Sequence, residues 1–399
     1  MRFGYRSAGD AGKGPWRRAS AGILILFLMT VMALLALVGF GWSYLDAQAR
    51  AAVVLSSAMD VPASRSVIEV ATGEPRLEGT TVGENATLVA RPAGEGPWPA
   101  LFLVNGTVPE GKDLPEIRRL AEGFARAGYL VVVPDLPGLR EDVITPGTAA
   151  ETVEVARAVS GWREARGGEV GLVGISTGAT LALLAAGEED LEGRVSVVAG
   201  VAPYADIETV LSIATTGHYE KNGDMVRYEA EPFLSYVSAR SLISALPPGE
   251  ARETLLAELD RLDRLAPEPL TGLRNLPSDD LERLSPEARR VAGLLANEEP
   301  ERFDELFGSL PEGVRADLEQ LSPVARGGII EAPVELVSGP HDKYFPLSES
   351  HDVLRLAPQG RVTVTDVLDH AELTFSPSEI PELWEMNLFV LRSLRAASV

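Results

Sequence analysis

Read for hydrophobic and polar positions alone, the chain opens on AGILILFLMTVMALLALVGF at 21–40, apolar almost throughout, and no charged residue lies between Arg18 and Asp46. At about 1.5 Å rise per residue such a helix covers the roughly 30 Å hydrocarbon core of a bilayer. The pattern predicts a transmembrane signal-anchor helix over 21–42. Arg2, Arg6, Lys13, Arg17 and Arg18 precede it, against Asp46 and Arg50 beyond it. The positive-inside bias then predicts a cytoplasmic basic segment at 1–20 and an extracytoplasmic domain, with the membrane as a partner. Ala47-Gln48-Ala49 fits a small-x-small cleavage pattern, so secretion after cleavage following Ala49 is the alternative, although the apolar run is long for a signal peptide. Residues 43–64 read as a juxtamembrane linker.

From 65 the pattern changes. RSVIEV at 65–70 and ATLVARP at 86–92 are β-rich runs separated by glycines, as expected of antiparallel strands at a sheet edge. PALFLVNG at 99–106 reads as a buried strand, LPEIRRLAEGFARAG at 114–128 as an amphipathic helix, and YLVVVPDLPG at 129–138 as a second buried strand running into a turn. Strand, helix and strand in succession make a βαβ unit, whose parallel sheet needs helices on its faces. The alternation continues through a helix near 149–165, EVGLVG at 169–174, a helix from 177, and VSVVAG at 195–200. It then gives way to short, charged helical patterns at 251–265, 281–296, 301–310 and 313–321, divided by Pro and Gly. Strands resume at PVELVSG, 333–339, and RVTVTDV, 361–367, before a last helix from 380. The predicted class is α/β, with a mostly parallel central sheet built from 65–204 and 326–399 and interrupted by a helical insertion at 205–325. An independent second domain at 205–325 would leave both flanking halves with incomplete sheets.

Composition narrows the chemistry. A formal net charge of -22 offers no basic stripe to follow phosphates, which argues against a nucleic-acid partner. The absence of cysteine excludes disulfides, a thiolate nucleophile and thiolate metal sites. The histidines, His218, His341, His351 and His370, are too dispersed for an HExxH-type metal site.

Gly174-Ile175-Ser176-Thr177-Gly178 falls between a predicted strand and a helix rich in small residues. A serine in a sharp strand-to-helix turn exposes its Oγ, Gly174 and Gly178 let the chain make the turn, and the helix starting at Thr177 directs free N–H groups toward developing negative charge. A serine alcohol is a poor nucleophile unless a base accepts its proton. His370, just beyond the last predicted strand, is the best-placed imidazole, whereas His341 precedes that strand. The base needs a carboxylate to hold one tautomer, and Asp342 follows PVELVSG; Asp206, after VSVVAG, is the fallback. Loops at the carboxyl ends of parallel strands converge, so Ser176, Asp342 and His370 are expected to meet. The N–H groups of Thr177 and Thr107, with Val108 as an alternative to the latter, are the expected oxyanion donors. Asn105 either braces that loop or is a turn residue before Gly106.

With these motifs in place, the chain resembles the α/β-hydrolase superfamily, particularly dienelactone hydrolases and prolyl-oligopeptidase-type catalytic domains. The resemblance covers roughly 66–397 and rests on GISTG at 174–178, SGPHDKYFP at 338–346, LDHAE at 368–372 and GYLVVVPDLPG at 128–138, in the family's order of nucleophile, acid and histidine. It implies the α/β-hydrolase fold, a cap formed by the insertion, and cleavage of an ester, thioester or amide through an acyl-serine, with no cofactor required. The family's common His-Gly beside the oxyanion hole is Asn105-Gly106 here, and Pro340-His341 precedes the acid.

A serine hydrolase cleaving a carboxylic ester of a small molecule, thioesters included, is the first expectation. A peptidase or amidase, an acyltransferase, and a non-catalytic binding module on the same fold are the alternatives. Leu211, Tyr219, Tyr228, Phe233, Leu234 and Tyr236 are candidates for an acyl pocket or for the insertion's own packing core, and His218 for a substrate contact or a loop residue.

Overall fold

The computed structural model of the chain describes residues 41, 43–59, 68–373 and 380–398. Two units emerge, Met1–Ala49 and Arg50–Val399. In the first, residues 41 and 43–49 are helical.

The expected transmembrane signal-anchor helix is not borne out: among the described residues no helix is long and apolar enough to cross a membrane. Residues 21–40 of that segment lie outside the described residues. The described helical residues that follow it, 43–58, are fewer than the roughly 20 apolar residues that spanning requires and include Asp46, Gln48 and Arg50. The membrane anchor, the membrane as a partner, and the extracytoplasmic, single-pass location are therefore withdrawn.

The second unit begins with residues 50–58, within the stretch read as a linker, and they are helical with Ala51, Val54 and Leu55 buried. Residues 68–70, read as strand, are helical together with Ala71, while 65–67 lie outside the described residues. The sheet starts later, with β1 (Arg76–Val82) and β2 (Asn85–Arg91), followed by β3 (Trp98–Val104), α1 (Pro115–Arg126), β4 (Leu130–Pro134), α2 (Pro146–Ser160), β5 (Ala165–Ile175), α3 (Thr177–Ala186) and β6 (Val195–Val201). The insertion supplies α4 (Ile207–Thr216), the hairpin β7 (His218–Lys221) and β8 (Asp224–Arg227), α5 (Pro232–Ser244), α6 (Glu250–Leu259), α7 (Pro286–Leu295), α8 (Phe303–Gly308) and α9 (Glu312–Gln320). The core resumes with β9 (Val334–Ser338), α10 (Leu347–Val353), β10 (Gly360–Val364), the short pair β11 (Leu368–Asp369) and β12 (Glu372–Leu373), and α11 (Ile380–Ala396).

The eight-stranded sheet has the order β1-β2-β4-β3-β5-β6-β9-β10. Strand β2 is antiparallel to both its neighbours, β1 and β4, and every other neighbouring pair in this sheet is parallel. This order, with a helical insertion after β6, matches the α/β-hydrolase fold. Its central strands are continuous apolar runs because both faces are covered. Phe102, Leu172 and Val198 pack into one core with Val155 and Val159 of α2 and Leu181 of α3. Helix α3 is buried from Thr177 to Ala185, and its sequence TGATLALLAA accordingly has no polar face. Helix α2 starts at Pro146 behind a Thr145 cap, whose hydroxyl accepts from Thr148 N–H while Thr148 reciprocates.

Register decides where the functional loops go. Val104 pairs with Gly174, Gly174 with Gly200, and Val201 with Val337, so β3, β5, β6 and β9 end together. The segments beginning at 105, 176, 202 and 339 consequently emerge at one sheet edge.

Helix α1 comes very close to the 50–58 helix at Gly123, where an added Cβ would lie 2.6 Å from Ser57 Cβ. Gly123→Ala is expected to lower the melting temperature despite the roughly 1 kcal/mol helical advantage of Ala. In a Ser57→Gly background it is expected to raise it. Thermal unfolding of the four proteins by circular dichroism checks this reversal of sign.

Candidate active site

Ser176 joins β5 to α3 with φ +55° and ψ -126°, a backbone conformation that residues with a Cβ rarely adopt. Both flanking glycines are required by space. A Cβ at Gly174 would collide with the backbone of Gly178 and Ala179, and one at Gly178 with the carbonyl oxygens of Val104 and Asn105. The turn is pinned by Ser176 N–H donating to Val201 O at 2.8 Å and by Ser176 O accepting from Ala179 N–H at 2.8 Å.

His370 arrives from a different element. Leu368 pairs with Leu373 and Asp369 with Glu372, leaving His370 and Ala371 as the two-residue tip of a hairpin, with His370 at φ +53°. Asp342 lies in the loop after β9, which passes so near β11 that a Cβ at Gly339 would strike Leu368 O. Three groups separated in sequence are thereby brought together. His370 Nε2 is 2.8 Å from Ser176 Oγ, and His370 Nδ1 is 2.9 Å from Asp342 Oδ2 and 3.1 Å from its Oδ1.

The carboxylate is held by contacts other than the imidazole. Asp342 Oδ1 accepts the N–H groups of Tyr344 at 2.7 Å and Phe345 at 2.9 Å, and the Tyr228 hydroxyl donates to Asp342 O. Burial pushes the Tyr228 phenol up, so it remains a donor. The imidazole is held between rings, with Tyr344 at 4.2 Å and 31° and Phe345 at 5.7 Å and 68°. Only 12% of the His370 side chain and 1% of the Asp342 side chain are exposed, which shields their hydrogen bond from competing water.

The other sequence candidates separate clearly. Asp206 caps α4 through Glu208 N–H and accepts from Ser322 Oγ, away from the imidazole. His341 is exposed, and His218 Nδ1 bonds Thr216 O at 2.8 Å. Asn105 braces its loop: its Oδ1 accepts Gly106 N–H, and its Nδ2 donates to Gly111 O. Gly106 lies against Ser176, since a Cβ there would be 3.4 Å from Ser176 Cβ, and Thr107 follows it. Thr177, as the first residue of α3, has an amide outside the helix's own hydrogen-bond pattern. Tyr219, Tyr228 and Leu234 pack with Tyr204 and Phe345 in a small cluster. Phe233 stacks on Tyr236, whose hydroxyl meets Asp260. Leu211 and Leu234 also line a cavity of about 40 Å3 beside Thr177.

Several supporting residues went unrecognised in the sequence. Asp135 accepts Lys112 N–H at 2.7 Å and Lys112 Nζ at 2.8 Å, tying the loop after β3 to the end of β4. Glu349 of α10 accepts the N–H groups of Ala205 and Asp206, both at 2.9 Å, where the chain leaves β6 for the insertion. Burial pushes the Glu349 carboxyl up to about 7, outweighing those two N–H groups, and the Asp206 and Asp352 charges add to the rise. A single carboxylate at a helix start carries no sequence signal for such a role.

No family model matches the sequence, and no curated protein matches it. Solved structures do resemble it distantly. A bacterial membrane phospholipase A is 19% identical, with 93% of this chain and 98% of that one covered, at a TM-score of 0.39. The proline iminopeptidase of Mycobacterium smegmatis is 18% identical over 81% and 100%, at 0.42. An esterase of Pyrococcus furiosus is 13% identical over 83% and 93%, at 0.41. Likenesses this remote do not bear on the chemistry, and the fold assignment rests on strand order.

Because the Glu349 carboxyl is raised from 4.5 to about 7 in the folded state, its contribution to stability is full below the unfolded value and is lost as pH rises through 7. Urea unfolding of parent and Glu349→Gln at pH 5 and pH 8 is expected to show the parent losing on the order of 2–3 kcal/mol more than the variant over that interval. Equal losses in the two proteins would contradict this.

Proposed function

We propose that the chain is a hydrolase that cleaves an acyl bond through a covalent intermediate on Ser176. The observation that carries this reading is the unbroken run of hydrogen bonds from Ser176 Oγ through His370 to Asp342 at a strained strand-to-helix turn. His370 Nε2 accepts the Ser176 proton as Oγ attacks the carbonyl carbon, and Asp342 holds the Nδ1–H tautomer and balances the imidazolium. The oxyanion is met by the N–H groups of Thr177 and Thr107. The intermediate collapses as His370 protonates the leaving group. A water molecule, activated by the same imidazole, then releases the acyl group and restores Ser176.

The substrate class proposed is a carboxylic ester, thioesters included, because alkoxide and thiolate depart with less assistance than an amine. The same residues would serve an amidase or an acyl transfer, and the leaving group separates these chemistries experimentally.

Turnover of p-nitrophenyl esters of increasing acyl length, beside the matching p-nitroanilides, is the direct assay. Ser176→Ala, matched for folding by circular dichroism, is expected to lose at least about a thousandfold in kcat, and Asp342→Asn a loss of about the same order with the fold intact. Undiminished turnover in Ser176→Ala would overturn the proposal. Faster turnover of anilides than of esters would replace the ester by an amide.

A further inference from the structure

On the face of the sheet opposite the 40 Å3 cavity lies a larger one of about 460 Å3, within the range of ligand sites. Its floor is Leu101 of β3, Val173 and Ile175 of β5, and Val197, Ala199 and Val201 of β6, alternate positions that share one face by the two-residue period of a strand. The walls come from the 50–59 segment, α1, α11 and the histidine hairpin. Interior strands of a sheet covered on both faces are normally shut off from solvent. Here Val173, Ile175 and Val201 are only half-buried, so the covering helices stand apart above them.

The dimensions select the occupant. Three strands about 4.8 Å apart and four steps of about 3.3 Å along β6 give a floor of roughly 10 by 13 Å. A volume of about 460 Å3 open to the centre of a water molecule is about 3.5 Å deep over that floor, and a water radius of about 1.4 Å on either side makes the slit roughly 6 Å deep, about one hydrocarbon chain thick. An α-helix, about 10–12 Å across with its side chains, does not enter it. The floor of a twisted sheet is curved, which a flexible chain follows and a rigid flat ring does not. The lining is apolar but for Glu116, Arg119 and Ser393, the first two joined at 2.7 Å with Glu116 exposed. At the inner end, Ile175 adjoins Ser176, while Leu368 and Ala371 bracket His370.

We propose that this slit binds a single flexible hydrocarbon chain, the tail of an acyl or alkyl amphiphile. The chain has two sources, the acyl group of a substrate held at Ser176 or a separate amphiphile. The first source rests on the acyl-hydrolase reading, and the site itself does not.

Titration of full-length Ser176→Ala with cis-parinaric acid, displaced by straight-chain carboxylates from six to fourteen carbons, tests the site without any need for catalysis. Saturable binding is expected, with affinity rising about three- to fourfold per added methylene until the slit is full. Val173→Trp, from the floor, and Leu120→Trp, from the half-buried wall on α1, are each expected to weaken it at least tenfold. Absence of saturable binding, or binding unchanged in both variants with near-ultraviolet circular dichroism preserved, would overturn the proposal. In the Ser176 parent, labelling with long-chain and ethyl p-nitrophenyl phosphonates assigns the source. Loss of parinarate binding after the long-chain label alone identifies a substrate chain, and binding retained after both identifies a separate amphiphile. A Ser176 that takes neither label, with parinarate still bound, removes the acyl-hydrolase reading and upholds the site.

Discussion

A serine is held at φ +55° only where the surrounding chain leaves it no better alternative, and here the constraint is the joint ending of β3, β5, β6 and β9 at one sheet edge. Gly174 and Gly178 let α3 pass against the end of β3 without a side chain between them. Val201 O, at the end of β6, then takes the serine amide. The strain of roughly 1–3 kcal/mol that such a residue stores is tolerated because α3 is buried on all sides and has no room to unwind. Every other feature of the site is placed relative to that turn.

Asp342 and His370 are held differently from Ser176. Asp342 is made rigid by backbone amides two and three residues onward, a local arrangement that forms with the loop itself. His370 depends on long-range assembly, namely a hairpin whose first strand packs on Gly339 through Leu368 and whose tip presents the imidazole to Tyr344 and Phe345. The insertion takes part through Tyr228, whose hydroxyl donates to the Asp342 carbonyl and so ties the insertion to the loop after β9. The cavity beside Thr177 measures about 40 Å3, whereas the one over β3, β5 and β6 measures about 460 Å3. Space for a sizeable apolar group therefore lies behind the edge that carries Ser176 and His370.

Much of the core was legible in the sequence because its signals are local. Uninterrupted runs such as LFLV and LVVVP mark doubly covered strands, and GISTG between a strand and a small-residue helix marks the elbow. The insertion was less legible. Helices α4 and α5 are buried over consecutive residues, Val210–Thr215 and Tyr236–Ala239, so their sequences show no one-sided helical period, and the β7–β8 hairpin turns at Asn222-Gly223, both at positive φ, a turn signal that went unused. RSVIEV looked like a strand by composition, yet 68–71 is helical, and the first strand, RLEGTTV, is mostly exposed and so shows no hydrophobic alternation. The apolar segment at 21–40 lies outside the described residues, and no helix among them has the length and hydropathy to cross a membrane. Contacts that depend on tertiary meeting, such as Glu349 with the amides of Ala205 and Asp206, leave no trace in local sequence.

The most direct measurement is of the covalent intermediate itself. Full-length protein mixed with p-nitrophenyl acetate, quenched in acid within milliseconds and digested for mass spectrometry, should carry one acetyl group, on Ser176, and the group should be absent from His370→Ala. Acetylation elsewhere, or acetylation of Ser176 that persists without His370, would contradict a serine activated through the hydrogen bonds joining Ser176, His370 and Asp342.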